Sequence, residues 1–280
     1  MQDFRSGFLG LASAGLLTLA SLLPAAGQTP AALSLPPRII SLDPSATEFL
    51  YALGAGNRLV GVSDSSRTAS EAALPRVGGM ELNLERISRL QPTHIIDLNG
   101  RHKRYELLFR QIGFPYLSLE ISQLEGIPSA AVRLAEALNS PEQRSAFLNR
   151  WQKELEELTS RAAQPRPRVY IELWDAPLQA AGRNSLIGQL VRCAGGENIL
   201  ASPSDAFPVI TPAEVLKANP EVILVAYPVG DLSRIGQRPG WGDIDAVRKN
   251  RVFAIDPDEL AQPSPLALKG LRQLINLLKQ

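Results

Sequence analysis

Residues 82–98 read LNLERISRLQPTHIIDL, and residues 210–226 read ITPAEVLKANPEVILVA. Each stretch opens with Leu, Ile or Val at helical spacing, meets a proline, and continues as an apolar run of strand length. Proline closes a helix because it has no N–H to donate and clashes with the preceding turn. A short, β-branched-rich run directly behind it reads as a buried parallel strand. One helix-to-strand unit written twice predicts two related α/β lobes, and two lobes make a cleft.

Outward from the first copy, Arg38-Ile39-Ile40-Ser41-Leu42 reads as an opening strand behind Pro36-Pro37. Ser45 and Glu48 have the spacing of a capping box. The helix they begin carries Phe49, Leu50 and Leu53 and stops at Gly54, the usual residue for a left-handed cap. Strands are predicted at 59–62, 94–98 and 116–119, with a helix at 106–112. The second half repeats the alternation, with strands at 169–173, 222–226 and 252–255 and helices at 186–193 and 266–278. Such alternation is the signature of a doubly wound parallel sheet. Segments 56–60 and 196–200 occupy equivalent places in the two halves, as a duplication would leave them.

A charged helix over 141–163 is predicted between the halves. Ser140 caps it, Pro141 takes its first position and Gln143 completes a capping box. Phe147, Trp151, Leu155 and Leu158 share one face, while Lys153, Glu154, Glu156 and Glu157 face outward. At 1.5 Å per residue such a helix spans about 35 Å and would act as a stiff strut. The expected organisation is a leader at 1–27, an N-terminal α/β lobe at 36–139, a linking helix at 140–164 and a C-terminal α/β lobe at 168–280.

The leader is expected from Arg5, the uncharged apolar stretch 8–23 and the small residues Ala25-Ala26-Gly27, which together read as a secretory signal cut before Gln28. The only cysteine, Cys193, is too far along to carry a lipid at such a site, and one cysteine makes no internal disulfide. The exported chain is therefore expected to rely on its apolar core. A formal net charge of +1 supplies no basic stripe for nucleic acid and no polybasic membrane patch.

Catalytic groups are scarce. With two histidines in the chain, a three-histidine metal site is impossible. His94 begins an apolar strand and reads as structural, Cys193 reads as an inert core thiol, and the glycines form neither a P-loop nor a GxGxxG fingerprint. Neither an enzyme nor a metal centre is expected, although Asp64 with His102 would be the pair an enzyme needs.

Binding residues are easier to name, because loops at the carboxyl ends of parallel strands face the ligand crevice. In the first lobe those loops offer Asp64, Ser65 and Ser66, then Gly79, Met80 and Glu81, then Asn99, Arg101 and His102. In the second they offer Trp174, Asp175, Phe207 and Tyr227, with Trp241 nearby. Aromatics opposite polar, glycine-rich loops suit a bulky ligand with an apolar face and a polar fringe. Phe207 and Trp241 have a second reading, closure of the lobe's own core. His102 has three: the solvated start of a helix, a metal ligand at the cleft rim, or a hydrogen-bond partner for a ligand side chain.

Residues 38–66, RIISLDPSATEFLYALGAGNRLVGVSDSS, resemble the opening of the class III periplasmic substrate-binding proteins of ABC importers. The likeness extends through residues 74–79 and 83–87. Trp174-Asp175-Ala176-Pro177-Leu178, residues 194–199 and residues 219–223 resemble the cobalamin-binding branch of that family. The resemblance implies two Rossmann-like lobes with parallel sheets joined by one long rigid helix, and a monomer without intrinsic cofactor. It further implies a periplasmic protein that carries a corrinoid, cobalamin (vitamin B12) or cobinamide, to a permease dimer in the inner membrane. Ferric siderophore or haem are the alternative guests. Family members dock through one glutamate per lobe. The first maps onto Glu85; the second falls on Ala213, with Glu214 the neighbouring carboxylate.

Overall fold

The structure, a computed structural model, describes residues 36–66, 71–200, 205–260 and 262–280. The expected leader at 1–27 lies outside the described residues. Among them, no helix is long and apolar enough to cross a membrane.

The first half runs β1 (Ile39–Ser41), α1 (Pro44–Ala52), β2 (Leu59–Val62), α2 (Leu84–Arg89), β3 (His94–Leu98), α3 (Glu106–Gln111) and β4 (Tyr116–Leu119). Its four strands are parallel, in the order β2-β1-β3-β4. Two helices follow, α4 (Gly126–Ala137) and α5 (Pro141–Thr159). The second half runs β5 (Arg168–Asp175), β6 (Leu178–Ala180), α6 (Leu186–Cys193), β7 (Glu197–Asn198), α7 (Pro212–Ala218) and β8 (Val222–Val225). It continues through α8 (Ser233–Gly236), α9 (Asp245–Arg248), β9 (Val252–Ala254), α10 (Pro257–Leu260) and α11 (Ala267–Leu278). Here β7, β5, β8 and β9 are parallel and repeat the spatial order of the first sheet, while β6 folds back antiparallel on β5.

The repetition reaches individual side chains. Arg38, just before β1, donates from Nε and Nη2 to the Leu90 carbonyl at the end of α2 (3.1 and 2.8 Å). Arg168, the first residue of β5, donates from the same atoms to the Asn219 carbonyl at the end of α7 (3.2 and 2.9 Å). A helix end leaves carbonyls without partners, and a planar guanidinium meets one of them in each half.

Both sheets bury both faces, so their strands alternate between two apolar clusters. Ile39, Ile96, Val169, Ile171, Val222 and Leu224 enter a single core that runs through both halves. Their neighbours Ile40 and Ile95 join a separate cluster with Phe109, and Tyr170, Ile223 and Val225 join another with Trp241. The common core is completed by Phe147, Trp151 and Leu158 of α5, by α4, and by α6 and α11. Two lobes that share one densely packed interior cannot swing apart without opening it. Further ties hold α5 on both sides: Arg150 donates to the Ala52 carbonyl (2.8 Å) and Glu154 pairs with Arg272 (2.8 Å).

Three local expectations are corrected. The linking helix has 19 residues rather than 23, because Ala163 leaves the helical path to donate its N–H to the Ala194 carbonyl at the end of α6 (2.8 Å). Ser140 precedes α5 without capping it; its hydroxyl donates to the Leu138 carbonyl instead (3.1 Å), so no box forms with Gln143. Helix α1 is capped by Asp43, whose carboxylate accepts from the Ser45 N–H (2.8 Å), not by Ser45 with Glu48. Gly54 does adopt φ +70°.

Candidate functional site

Ser45 follows the carboxyl end of β1, and its hydroxyl donates to Gln262 Oε1, beyond the carboxyl end of β9 (3.1 Å). A second bond, from the Leu124 N–H to Gln189 Oε1 (2.9 Å), joins the chain after β4 to α6. The carboxyl ends of the two sheets therefore meet at a common seam. The loops leaving the remaining strands at those ends form two rims.

The first-lobe rim is a short loop gripped from one side. Gly78 adopts φ +110°, and a Cβ there would sit 2.2 Å from the Glu81 carbonyl, so only glycine makes this turn. Asp64 ties the turn to the end of β2: its N–H donates to the Gly78 carbonyl (2.9 Å) and its carboxylate accepts from the Gly78 N–H (3.2 Å). Ser65 beside it is exposed, whereas Ser66 is buried and its carbonyl accepts from Arg76 (2.8 Å). Residues 102–105 hold the other side. His102 bonds the Gly79 carbonyl (2.9 Å), Arg104 the Met80 carbonyl and the Glu81 carboxylate, and Tyr105 the same carboxylate (2.8 Å). The Tyr105 hydroxyl also accepts from the Leu82 N–H (3.3 Å). Those bonds from Tyr105 and Arg104 depress the Glu81 pKa. The apolar side chain this scaffold presents to solvent is Met80, 62% exposed, with the carboxylates of Asp64 and Glu81 exposed around it.

Two expected first-lobe residues are held by bonds within the lobe, His102 in its interior and Asn99 at its surface. His102 is 3% exposed, neither a solvated helix start nor an open metal ligand. Its Nδ1 meets Asp97 Oδ1 (2.8 Å) and its Nε2 meets Gly79, so both ring nitrogens are occupied. The ring pairs with Asp97 rather than Asp64, and the acid–base pair expected of an enzyme does not form. Asn99, at φ +50°, spends its amide on Ile121, donating to its carbonyl (3.0 Å) and accepting from its N–H (2.6 Å). Arg101 stays at the surface and pairs with Asp43 (2.8 Å).

The second-lobe rim is aromatic. Trp174 and Asp175 end β5 exposed, and the Trp174 ring lies 5.8 Å from that of Tyr227. Phe207 is half exposed. Its segment continues the β6 hairpin: the Ala180 N–H donates to the Pro208 carbonyl and the Ile210 N–H to the Leu178 carbonyl. Val209 is exposed on that segment. Trp241 is fully buried, edge-on to Tyr170, and so closes the lobe's own core.

A buried charge supports this wall, and the sequence reading missed it. Glu172 of β5 is inaccessible to solvent and accepts two bonds from Arg238 (2.7 Å each) and one from the Tyr227 hydroxyl (2.6 Å). Arg238 in turn lies over the Trp241 ring at 4.5 Å. Burial, then the bond to Glu172, push the Tyr227 pKa up, so the phenol keeps its proton. Asp97 and Glu172 each interrupt an apolar strand, and a charge there signals a buried partner. Arg238, 66 residues from Glu172, carries no such signal.

Both rims lead directly into helices. Glu85 is the second residue of α2, strongly exposed and paired with Arg89 (2.5 Å). Ala213 holds the corresponding place in α7. Glu214 folds back into a capping box, its carboxylate accepting from the Thr211 N–H (2.7 Å) and hydroxyl (2.8 Å). Among the described residues no cluster of His, Cys, Asp or Glu could hold a metal ion.

Known proteins resemble this chain in sequence and in fold. A vitamin B12-binding protein of Vibrio cholerae is 30% identical over 249 residues, covering 86% of this chain and 89% of its own. One from Pectobacterium atrosepticum is 32% identical over 204 residues, covering 70% and 73%. The crystal structure of the periplasmic vitamin B12-binding protein BtuF of Vibrio cholerae matches with a TM-score of 0.71 at 28% identity, over 87% of this chain and 97% of that one. The apo periplasmic haem-binding protein RhuT of Roseiflexus matches with 0.76 at 27%, over 87% and 98%. The family model described as periplasmic binding protein matches residues 39–259, from the first strand to the approach of the last helix. The chain thus belongs to the periplasmic binding protein family.

Proposed function

We propose that this chain is the solute-binding component of an ABC importer, capturing a corrinoid, cobalamin or cobinamide, between its rims for delivery to a permease dimer. The asymmetry of the rims carries the reading. Trp174, Phe207 and Val209 are exposed on one side, backed by Tyr227, while the other side offers Met80 among Asp64, Glu81 and Arg101. A corrinoid has the matching shape, a broad apolar ring face fringed by amides. The identity to vitamin B12-binding proteins supports the same guest.

The protein acts by binding and not by catalysis. His102, which a first-lobe reaction would need as its base, has both nitrogens engaged. Glu85 is the docking carboxylate of the first lobe. Glu214 is committed to its own helix cap, so the second-lobe contact is the weaker one. Titration of the purified protein with cyanocobalamin and cobinamide tests the guest. Binding at micromolar concentration or tighter is expected, with W174A weakening it about tenfold, in line with ~1.5 kcal/mol from a half-buried aromatic. Absence of heat with both compounds would reject a corrinoid. Haem is the second reading, favoured by the likeness to RhuT; a haem absorption band in the protein as purified would decide for it.

A further inference from the structure

We propose that Asp97 and His102 are positioning residues of the first-lobe rim: the doubly protonated ring grips the Gly79 carbonyl and so sets where Met80 and Glu81 meet the guest. This rests on the reading of that rim as a ligand wall. A carbonyl oxygen and an ionised carboxylate can only accept, and they face the two ring nitrogens at 2.9 and 2.8 Å. Both nitrogens must then donate, which makes the ring an imidazolium. Asp97, wholly buried, also accepts from the His102 N–H (2.9 Å) and the Tyr116 hydroxyl (2.6 Å), so the charge pair is fully bonded inside the lobe.

The placement points to a role beyond stability. Residues 102–105 make the grips on 79–82 one after another, and a loop with glycine at 78 and 79 has little stiffness of its own. Of those grips, the one from His102 depends on an imidazole proton, which is lost at a pH above the ring's usual 6.5. The ring faces Asp97 of β3 and the Gly79 carbonyl, with Arg101 beside it; Tyr116 of β4 reaches it through Asp97. Asp97 and Gly79 raise the ring's pKa above its usual 6.5, against burial and the charge of Arg101. Arg101 is itself drawn toward Asp43, and Tyr116 is pushed upward and stays protonated. Once neutral, the ring keeps its proton on Nδ1, toward the carboxylate. Nε2 then turns a lone pair toward the Gly79 oxygen, and the grip becomes a repulsion.

The test has a ligand-free arm and a ligand arm. Ring-nitrogen NMR, with H94Q to assign the two histidines, should show His102 protonated at both nitrogens at pH 6. Exchange protection of the amides at 79–83, corrected for intrinsic rates, should fall about tenfold as the ring titrates, matching the loss of one charge-assisted bond. H102Q should lack that step. Corrinoid affinity should drop by a similar factor through the same pH range in the wild type and not in H102Q. D97N/H102Q, which buries no charge, serves if H102Q melts early. A singly protonated ring at pH 6, unchanged loop protection, or wild-type affinity independent of pH would each overturn the proposal. If the protection step is present but neither corrinoid binds, the positioning role stands and the corrinoid assignment alone falls.

Discussion

Replacing Arg238 with methionine should destabilise the second lobe far more than loss of one surface cation would. Glu172 is wholly buried and takes two of its three side-chain bonds from Arg238, whose own side chain is 21% exposed. Removing one member of a buried ion pair typically costs 3–5 kcal/mol, because the remaining charge is stranded. Tyr227 still donates in the variant, and the partial exposure of the arginine site lets water approach, so about 2–4 kcal/mol is the fitting figure. Loss of the contact with the Trp241 ring adds roughly 0.5–1 kcal/mol. For a chain of this size each kcal/mol lowers Tm by about 2–4 °C, giving a fall of roughly 5–20 °C by circular dichroism. The double variant E172L/R238M removes the stranded charge and should recover most of that loss. If R238M melts within about 1 °C of wild type, or the double variant is worse than the single one, the wall is not braced by this charge pair. W174A and R238M should both weaken guest binding, the second through the displacement of Tyr227.

Capping gives a cheaper check: S140A should leave urea stability within about 0.5 kcal/mol of wild type, whereas D43A should cost about 1–2 kcal/mol, because only Asp43 receives a helix N–H and it also holds Arg101. R38M and R168M should lower Tm by similar amounts, about 2–4 °C each, since the two guanidiniums meet equivalent helix ends; an effect confined to one of them would contradict the structural repeat. The Asp97–His102 pair predicts a stability plateau flanked by two declines. Asp97 has its pKa held below the usual 3.8, chiefly by the bond from His102 acting against burial, so its contribution is present above that value and lost as pH falls through the lower one. His102 is raised above 6.5, so its contribution is complete below 6.5 and lost as pH rises through the higher value. Urea melts from pH 3 to 9 should show both declines, and D97N should remove them.

The fold was legible because its signals are local. The helix–proline–strand unit appears as α2 to β3 and as α7 to β8, with strand bounds close to those expected. Helix α4 was overlooked although its buried Ile127, Ala130, Ala131, Leu134 and Ala135 have helical spacing, since alanine is a weak marker of an apolar face. β7 has two residues, too few for any period to show. The site was legible only as loops. Sequence order places Trp174, Phe207 and Met80 at strand ends, but it cannot tell an outward Trp174 from an inward Trp241. Nor can it join Glu172 to Arg238 or His102 to Asp97. Those pairings depend on which strands become neighbours, which only the folded sheets decide.

The continuous interior beneath both rims has a consequence for how a guest leaves. Because Ile39, Trp151 and Leu278 belong to the same packed body, thermal wobble between the jaws is slight, and capture proceeds without a large closing motion. A guest held between the rims would then leave at its own dissociation rate, without the lobes having to swing apart. Any partner that discharged a guest by separating the lobes would have to break that shared packing.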